Sequence, residues 1–404
     1  MISNISKSLL ASILSLNLWA GEDDSSWNKE ASQSEKKIRW NKQNHENFDA
    51  FLNHLKENNN TPILDLSNNK LYKFFRISNE DIAEGISSAL NLKKDLLIKN
   101  KINFETLYKS INKENIQKTD QAISEHFFKR VELFFNIITK NKDLKTLDLS
   151  HNCLKERELT IVLSFLNSSA IETLILSNNN TPCIETHPNI DYLLIGKKTL
   201  EETIDKKLEE IIVSSSENKN LKKVTLKENN IQKTSEEVLK RIFRILAKFQ
   251  SLESMNFSDN GSYRTNPDIM MSCLSDFIEE NKSIKSLNLH KTNIQNNSIK
   301  KLSQVFLQNA TLKKVNLSSN PFNLNKGNTL FIKYNTTITQ LNLSGCGFFG
   351  NKPQEFLKNI EENDTITSLN ITGCFDENEG KKISDALKKK RNYSIKVIYK
   401  KTKK

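Results

Sequence analysis

Gly345-Cys346-Gly347-Phe348-Phe349-Gly350 has the spacing of a dinucleotide-binding turn, in which glycines admit a pyrophosphate and a helix N-terminus holds its charge. Its surroundings argue against that chemistry. Pro353 delays the next helix, Phe348 falls in an apolar slot, and Asn370 stands where an acid would have to hold a ribose. The histidines, at 45, 54, 126, 151, 187 and 290, have neither metal-ligand nor nucleophile spacing, and Cys183 with His187 is a single pair. Walker, His-Glu-x-x-His and Gly-x-Ser-x-Gly motifs are missing. No catalytic residue, metal site or cofactor is expected, and the chain reads as a non-enzyme.

What recurs with chemical regularity is amide. Asn256, Asn288, Asn316, Asn342 and Asn370 occupy one position in five successive copies of a short phrase. Two positions before them stand Ser254, Ser286, Lys314, Gln340 and Ser368, and two after them Ser258, His290, Ser318, Ser344 and Thr372. This makes a polar, nearly neutral stripe without aromatics. Two readings stand: short polar residues that suit a crowded curved sheet, or a hydrogen-bonding surface for a protein partner. On the second, the contact residues are Asn256, Asn288, His290, Lys314, Asn316, Gln340, Asn342 and Asn370. The lack of aromatics counts against a tight hot spot.

The element that positions the stripe is the phrase itself, clearest in Leu144-Lys-Thr-Leu147-Asp-Leu149-Ser-His-Asn152-Cys-Leu154. Apolar residues hold positions one, four, six and eleven, and Asn usually holds nine. Copies begin at Leu64 (shortened), Ile171, Leu221, Leu252, Ile284, Leu312, Ile338 and Ile366. The last steps, of 32, 28, 26 and 28 residues, hold a strand, a loop and a helix. Helical stripes lie at 155–167, 237–249, 268–280, 296–308 and 353–361, with apolar residues three and four apart. This is the signature of a leucine-rich repeat array, in which each unit buries its apolar side only against its neighbours. The position-nine asparagines, Asn69, Asn152, Asn179, Asn229, Asn260 and Asn320, are expected to be buried and bonded to loop backbone, with Cys346 and Cys374 as small buried substitutes.

Over residues 60–400 the unit resembles the ribonuclease-inhibitor type of leucine-rich repeat protein, a group that includes Ran GTPase-activating proteins and innate immune sensor domains. The resemblance implies an α/β solenoid, a horseshoe with a parallel concave sheet and convex helices, and it implies no catalytic residue.

The expected organisation is a leader or possible signal segment at 1–35 and one solenoid at 36–404. The solenoid divides into an N-terminal cap (36–60), irregular repeats (61–143), regular repeats (144–376) and a basic C-terminal cap (377–404). The front cap would hold a strand at 37–40 and a helix at 44–57, the back cap a helix at 378–390 and a strand at 394–399. Within 61–143 the segments 92–102 and 113–119 read as decayed copies of the phrase, and 190–200 as a degenerate copy after a helix-free loop at 177–189. The helix at 123–139 is apolar over a wide arc, which fits a thicker core or an exposed convex patch. No second independent domain and no membrane span are expected.

The formal net charge is +12, and residues 376–404 hold eleven basic against four acidic residues. That tail reads as a solvated cap, or as a contact through 388–404 for nucleic acid, anionic lipid or an acidic protein. A basic balance argues against inhibiting a basic ribonuclease. Five cysteines, an odd number without framework spacing, imply no designed disulfides. Residues 1–20 carry Lys7 before Leu9–Ala20, a possible short secretory signal or else a disordered or amphipathic leader. Richness in Asn and Lys, and sequons such as Asn256-Phe-Ser that would plug the concave face, suggest a bacterial protein that is secreted or translocated into a eukaryotic host. The function read from the chain is a non-catalytic protein-binding scaffold, with such an effector as its specific form. The alternatives are a small-GTPase regulator resembling Ran GTPase-activating proteins, and an anionic-surface binder through the basic tail.

Overall fold

In the computed structural model the repeat array is the unit Lys37–Lys404. The described residues within it are 37–39, 61–68, 71, 79–90, 113–166, 169–179, 197–214, 219–231, 234–261, 267–324, 326–347, 353–390 and 396–399. The leader at 1–35, the front-cap helix at 44–57, Asn69, the copy at 92–102, most of the loop at 177–189 and the chain end beyond 399 lie outside them.

Eleven parallel strands form one sheet in sequence order. They are β1 (Lys37–Arg39), β2 (Ile63–Asp65), β3 (Thr146–Asp148), β4 (Thr173–Ile175), β5 (Lys223–Thr225), β6 (Ser254–Asn256), β7 (Ser286–Asn288), β8 (Lys314–Asn316), β9 (Gln340–Asn342), β10 (Ser368–Asn370) and β11 (Lys396–Ile398). Each takes positions three to five of the phrase, and position four pairs with position four of its neighbour, as Leu287 does with Val315 and Val315 with Leu341. The helices alternate with them: α1 (Asn79–Leu90), α2 (Lys113–Lys140), α3 (Glu156–Phe165), α4 (Lys197–Ser214), α5 (Glu236–Ala247), α6 (Asp268–Glu280), α7 (Asn296–Gln308), α8 (Leu330–Tyr334), α9 (Pro353–Glu361) and α10 (Glu377–Lys390). This is an α/β repeat solenoid of leucine-rich-repeat kind. Positions one, four, six and eleven form its core, and Leu149, Leu174, Leu226, Leu289 and Leu317 have no exposed surface.

Buried backbone groups at both edges of the sheet must be paired, and asparagine does it at each. At the outgoing edge Asn179 donates Nδ2 to the carbonyls of Leu149 (2.9 Å) and Leu176 (2.8 Å), and its Oδ1 accepts the Asn152 N–H at 2.8 Å. Asn229 and Asn260 continue the chain of bonds, Asn260 Oδ1 accepting the Asn229 N–H at 2.8 Å. Cys346 and Cys374 end the ladder by donating Sγ–H to the Leu317 and Leu343 carbonyls. At the incoming edge a second ladder runs through Asn141, Asn281, Asn309, Asn335 and Asn363, three residues before position one. Asn335 Oδ1 accepts the N–H groups of Thr337 and Ile338, while Nδ2 donates to the Phe306 carbonyl of the preceding unit. Asn363 then donates to the Asn335 carbonyl at 2.7 Å.

The loops after β2 to β10 need left-handed backbone at position eight. From Asn68 and His151 to Lys291, Ser319, Gly345 and Gly373, φ there lies between 49° and 73°. Position ten repeats it at Cys153, Asn230, Asn293 and Gly347. Gly345 and Gly347 are therefore turn residues of the repeat.

Three sequence expectations change. Lys113–Thr119, read as a decayed repeat turn, is the start of the 28-residue α2. β2 pairs directly with β3, and β4 with β5, so neither 61–143 nor the copy at 190–200 adds a strand between them. Cys153 is disulfide-bonded, to a partner outside the described residues. The wide apolar arc of α2 is core: Phe127, Phe128, Val131, Phe134, Phe135 and Ile138 are all buried. Phe135 stacks on Phe165 of α3 with ring centres 5.3 Å apart.

Gly85 lets α1 lie against α2, since a Cβ there would stand 2.3 Å from Ile123 Cγ1 and 2.8 Å from its backbone nitrogen. Gly85→Ala is expected to cost about 1–3 kcal/mol through overpacking, read as a lower thermal midpoint. A variant as stable as the parent would show that the helices do not meet so closely.

Candidate functional site

The outer side of β6–β10 carries the amide stripe, and the structure gives its asparagines a local task. Each Oδ1 accepts the N–H two residues on, closing a turn that ends the strand: Asn256 from Ser258 at 3.0 Å, Asn288 from His290 at 3.1 Å and Asn316 from Ser318 at 3.0 Å. Asn342 does so from Ser344 at 3.0 Å and Asn370 from Thr372 at 3.1 Å. Asp65 and Asp148 make the same bond on β2 and β3. Where the strand ends in this turn an acceptor oxygen on a short side chain closes it, which Asn and Asp supply; Ile175 and Thr225 stand at the position on β4 and β5. What distinguishes Asn is the Nδ2 group, and in all five it makes no hydrogen bond within the described structure.

The stripe is recessed. Asn288 and Asn316 are each only 8% exposed, Asn256, Asn342, Asn370 and His290 are half-buried, and Lys314 and Gln340 stand exposed beside them. The structure thus brings seven of the eight sequence-selected residues onto adjoining strands and His290 into the turn after β7. His290 Nδ1 lies 2.8 Å from Ser318 Oγ and ties two neighbouring units at position seven. Toward β2 and β3 the same row turns acidic through Asp65 and Asp148, so amide donors are confined to the C-terminal half.

The incoming edge is charged. Glu172 bridges Lys222 (2.7 Å) and Lys145 (3.3 Å), and Lys285 pairs with Glu253 at 2.7 Å. The Lys222 hydrogen bond holds the Glu172 carboxyl below its ordinary range, and Glu172 raises Lys222 in turn.

Sequence reasoning missed one polar cluster. The buried Asp81 carboxylate of α1 accepts Arg130 through Oδ2 (2.8 Å) and Oδ1 (3.3 Å), and His126 Nδ1 lies 2.8 Å from Oδ1. His126 and Arg130 stand four apart on α2, a spacing that could have flagged them, but nothing local points to Asp81. The cluster clamps α1 to α2. Among the described residues no group of three or more His, Cys, Asp or Glu could hold a metal ion, and no helix is long and apolar enough to cross a membrane.

No protein-family model matches the chain, and no curated protein does. Among solved structures, "Leiomodin-1 Actin-Binding Site 2 (ABS2)" matches 39% of this chain and 86% of its own length at 17% identity with a TM-score of 0.31, a likeness that carries no argument about function.

Two outcomes follow from this geometry. Asn342→Ala removes the turn acceptor and is expected to cost about 0.5–1.5 kcal/mol, whereas Asn342→Asp keeps it and should melt near the parent; equal losses would mean that the turn bond is not what holds the position. Burial raises the thiols of Cys273, Cys346 and Cys374, the last to about 12. A folded value above the unfolded one is stability that is present below the ordinary thiol range and lost as pH rises toward 12. These three thiols should resist iodoacetamide in the native protein and react once it unfolds, so rapid native labelling would contradict the buried ladder.

Proposed function

We propose that the chain is a non-catalytic interaction protein that holds a protein partner against the outer face of β6–β10. The observation that carries this reading is the row of five asparagines whose oxygens are fixed by turn bonds while their Nδ2 donors remain unused. Side chains already ordered by folding lose little entropy on binding, and adjacent strands space such donors about 4.8 Å apart. A partner presenting carbonyls or carboxylates fits them. The absence of aromatics on this face favours a polar, exchangeable complex over a tight one. Repeat steps of 26–32 residues with a helix in each unit support the ribonuclease-inhibitor type within leucine-rich repeats. The composition rich in Asn and Lys supports a bacterial protein acting in a eukaryotic host.

The test is affinity capture from eukaryotic lysate, comparing the parent with Asn256→Asp/Asn342→Asp/Asn370→Asp. This variant keeps every turn acceptor and loses three donors. A partner captured by the parent and lost by the folded variant is the expected result. Identical capture by both would overturn the strand face as the site, and acceleration of GTP hydrolysis by a captured GTPase would overturn the non-catalytic reading.

A further inference from the structure

Beside the incoming edge of β5–β8 lies a groove of about 430 Å³ where the turns after α5, α6 and α7 meet the strands. Among the described residues four lysines line it, Lys222, Lys282, Lys285 and Lys313, against a single acid, Glu253. All four are exposed. Glu253 is occupied by Lys285, and Lys222 by Glu172 outside the groove. Lys282 and Lys313 make no ion pair among the described residues, and neither does Lys314 next along on β8, though the Lys282 ammonium also donates to the Glu279 carbonyl. The hydroxyls lining the groove are turned to the protein: Ser251 donates to the Lys219 carbonyl at 2.7 Å, and Ser283 to the Leu252 carbonyl at 3.0 Å. The donors left for a ligand are ammonium groups, so the groove selects anions.

The lining also separates kinds of anion. Among the described residues it holds no aromatic ring on which a base could stack and no arginine fork for bidentate phosphate recognition. Lysines on flexible stems suit carboxylates spread along a chain. Lys314 and the Asn316 amide lie on the strand reached directly from Lys313, so one partner can cross from groove to stripe.

We infer that this groove docks an acidic, Glu- or Asp-rich segment of the protein partner, which deepens and rests on the proposal that the partner is a protein held on β6–β10. Steering by such a patch raises association rate and specificity and weakens with salt.

The experiment measures anisotropy of a fluorescein-labelled oligoglutamate peptide with the full chain at low ionic strength. It compares the parent with Lys282→Glu/Lys313→Glu and with Lys381→Glu/Lys382→Glu, an equal charge change on exposed residues of α10. Circular dichroism confirms that each variant is folded. Saturable binding that weakens about tenfold in the groove variant and little in the α10 variant is expected. No binding by the parent, or equal loss in both variants, would overturn the groove. Equal or tighter binding of a single-stranded oligonucleotide with the same dependence on Lys282 and Lys313 would overturn the acidic-peptide class. Failure here leaves the asparagine-dependent capture standing, and failure of that capture with groove-dependent peptide binding intact would refute the strand face alone.

Discussion

Every unit of this solenoid turns its chain twice inside protein, and each turn leaves backbone N–H and C=O groups where water cannot reach them. An unpaired group of that kind costs as much as a lost hydrogen bond or more. The fold meets the requirement with one side chain used in two rows, Asn152–Asn179–Asn229–Asn260 after the strands and Asn281–Asn309–Asn335–Asn363 before them. In the first row the amide oxygen accepts N–H groups of the preceding unit while the nitrogen donates to carbonyls of its own and the preceding unit; in the second the oxygen binds its own loop and the nitrogen the preceding unit. The ladders therefore hold the units in register as well as satisfying them. Stability in such an array resides largely in these nearest-neighbour interfaces.

Where the ladder changes residue, the chemistry shows what the position needs. Cys346 and Cys374 replace an amide with a thiol that still donates to the carbonyl one unit back. The same burial that makes them useful there raises their pKa values and removes thiolate reactivity. The glycines of the apparent dinucleotide motif follow similar logic. Gly345 and Gly347 sit at the two left-handed positions that His151 and Cys153, or Lys291 and Asn293, occupy in other units at some steric cost. A motif that imitates cofactor chemistry is in this chain the least strained version of its own turn.

The outer face inherits its chemistry from these constraints. Where position five closes a turn it is Asn or Asp, and that choice decides whether the face presents donors or acceptors, while Ile175 and Thr225 hold the position on β4 and β5. On β2 and β3 it presents carboxylates, and on β6–β10 amide donors beside a lysine-lined edge. Polarity along the sheet thus arises from a residue whose presence is structural. Near β3 to β5 the array is made irregular by long helices, and α4 is tied to its neighbours by Asp205 and Glu209, which pair with Arg157, Arg241 and Arg244.

The sequence alone determined the unit, the apolar slots, the position-nine ladder and the set of residues on the strand face. Each of these is local, because a phrase eleven residues long fixes which side chains point inward and stacking then repeats the answer. The tertiary structure decided what depends on partners far apart in the chain. It joined β2 to β3 across eighty residues that resembled broken repeats, set Asp81 against His126 and Arg130, gave Cys153 its disulfide partner, and gathered Lys222, Lys282, Lys285 and Lys313 around one groove. It also turned the Asn256-to-Asn370 stripe from free amides into half-used ones, since only the backbone path after each strand brings the next-but-one N–H to Oδ1. The second ladder was present in the sequence as Asn-Lys-Ser-Ile284, Asn-Ala-Thr-Leu312, Asn-Thr-Thr-Ile338 and Asn-Asp-Thr-Ile366, but its meaning lies in carbonyls about thirty residues away. Such bonds have no signature until the neighbouring unit is in place.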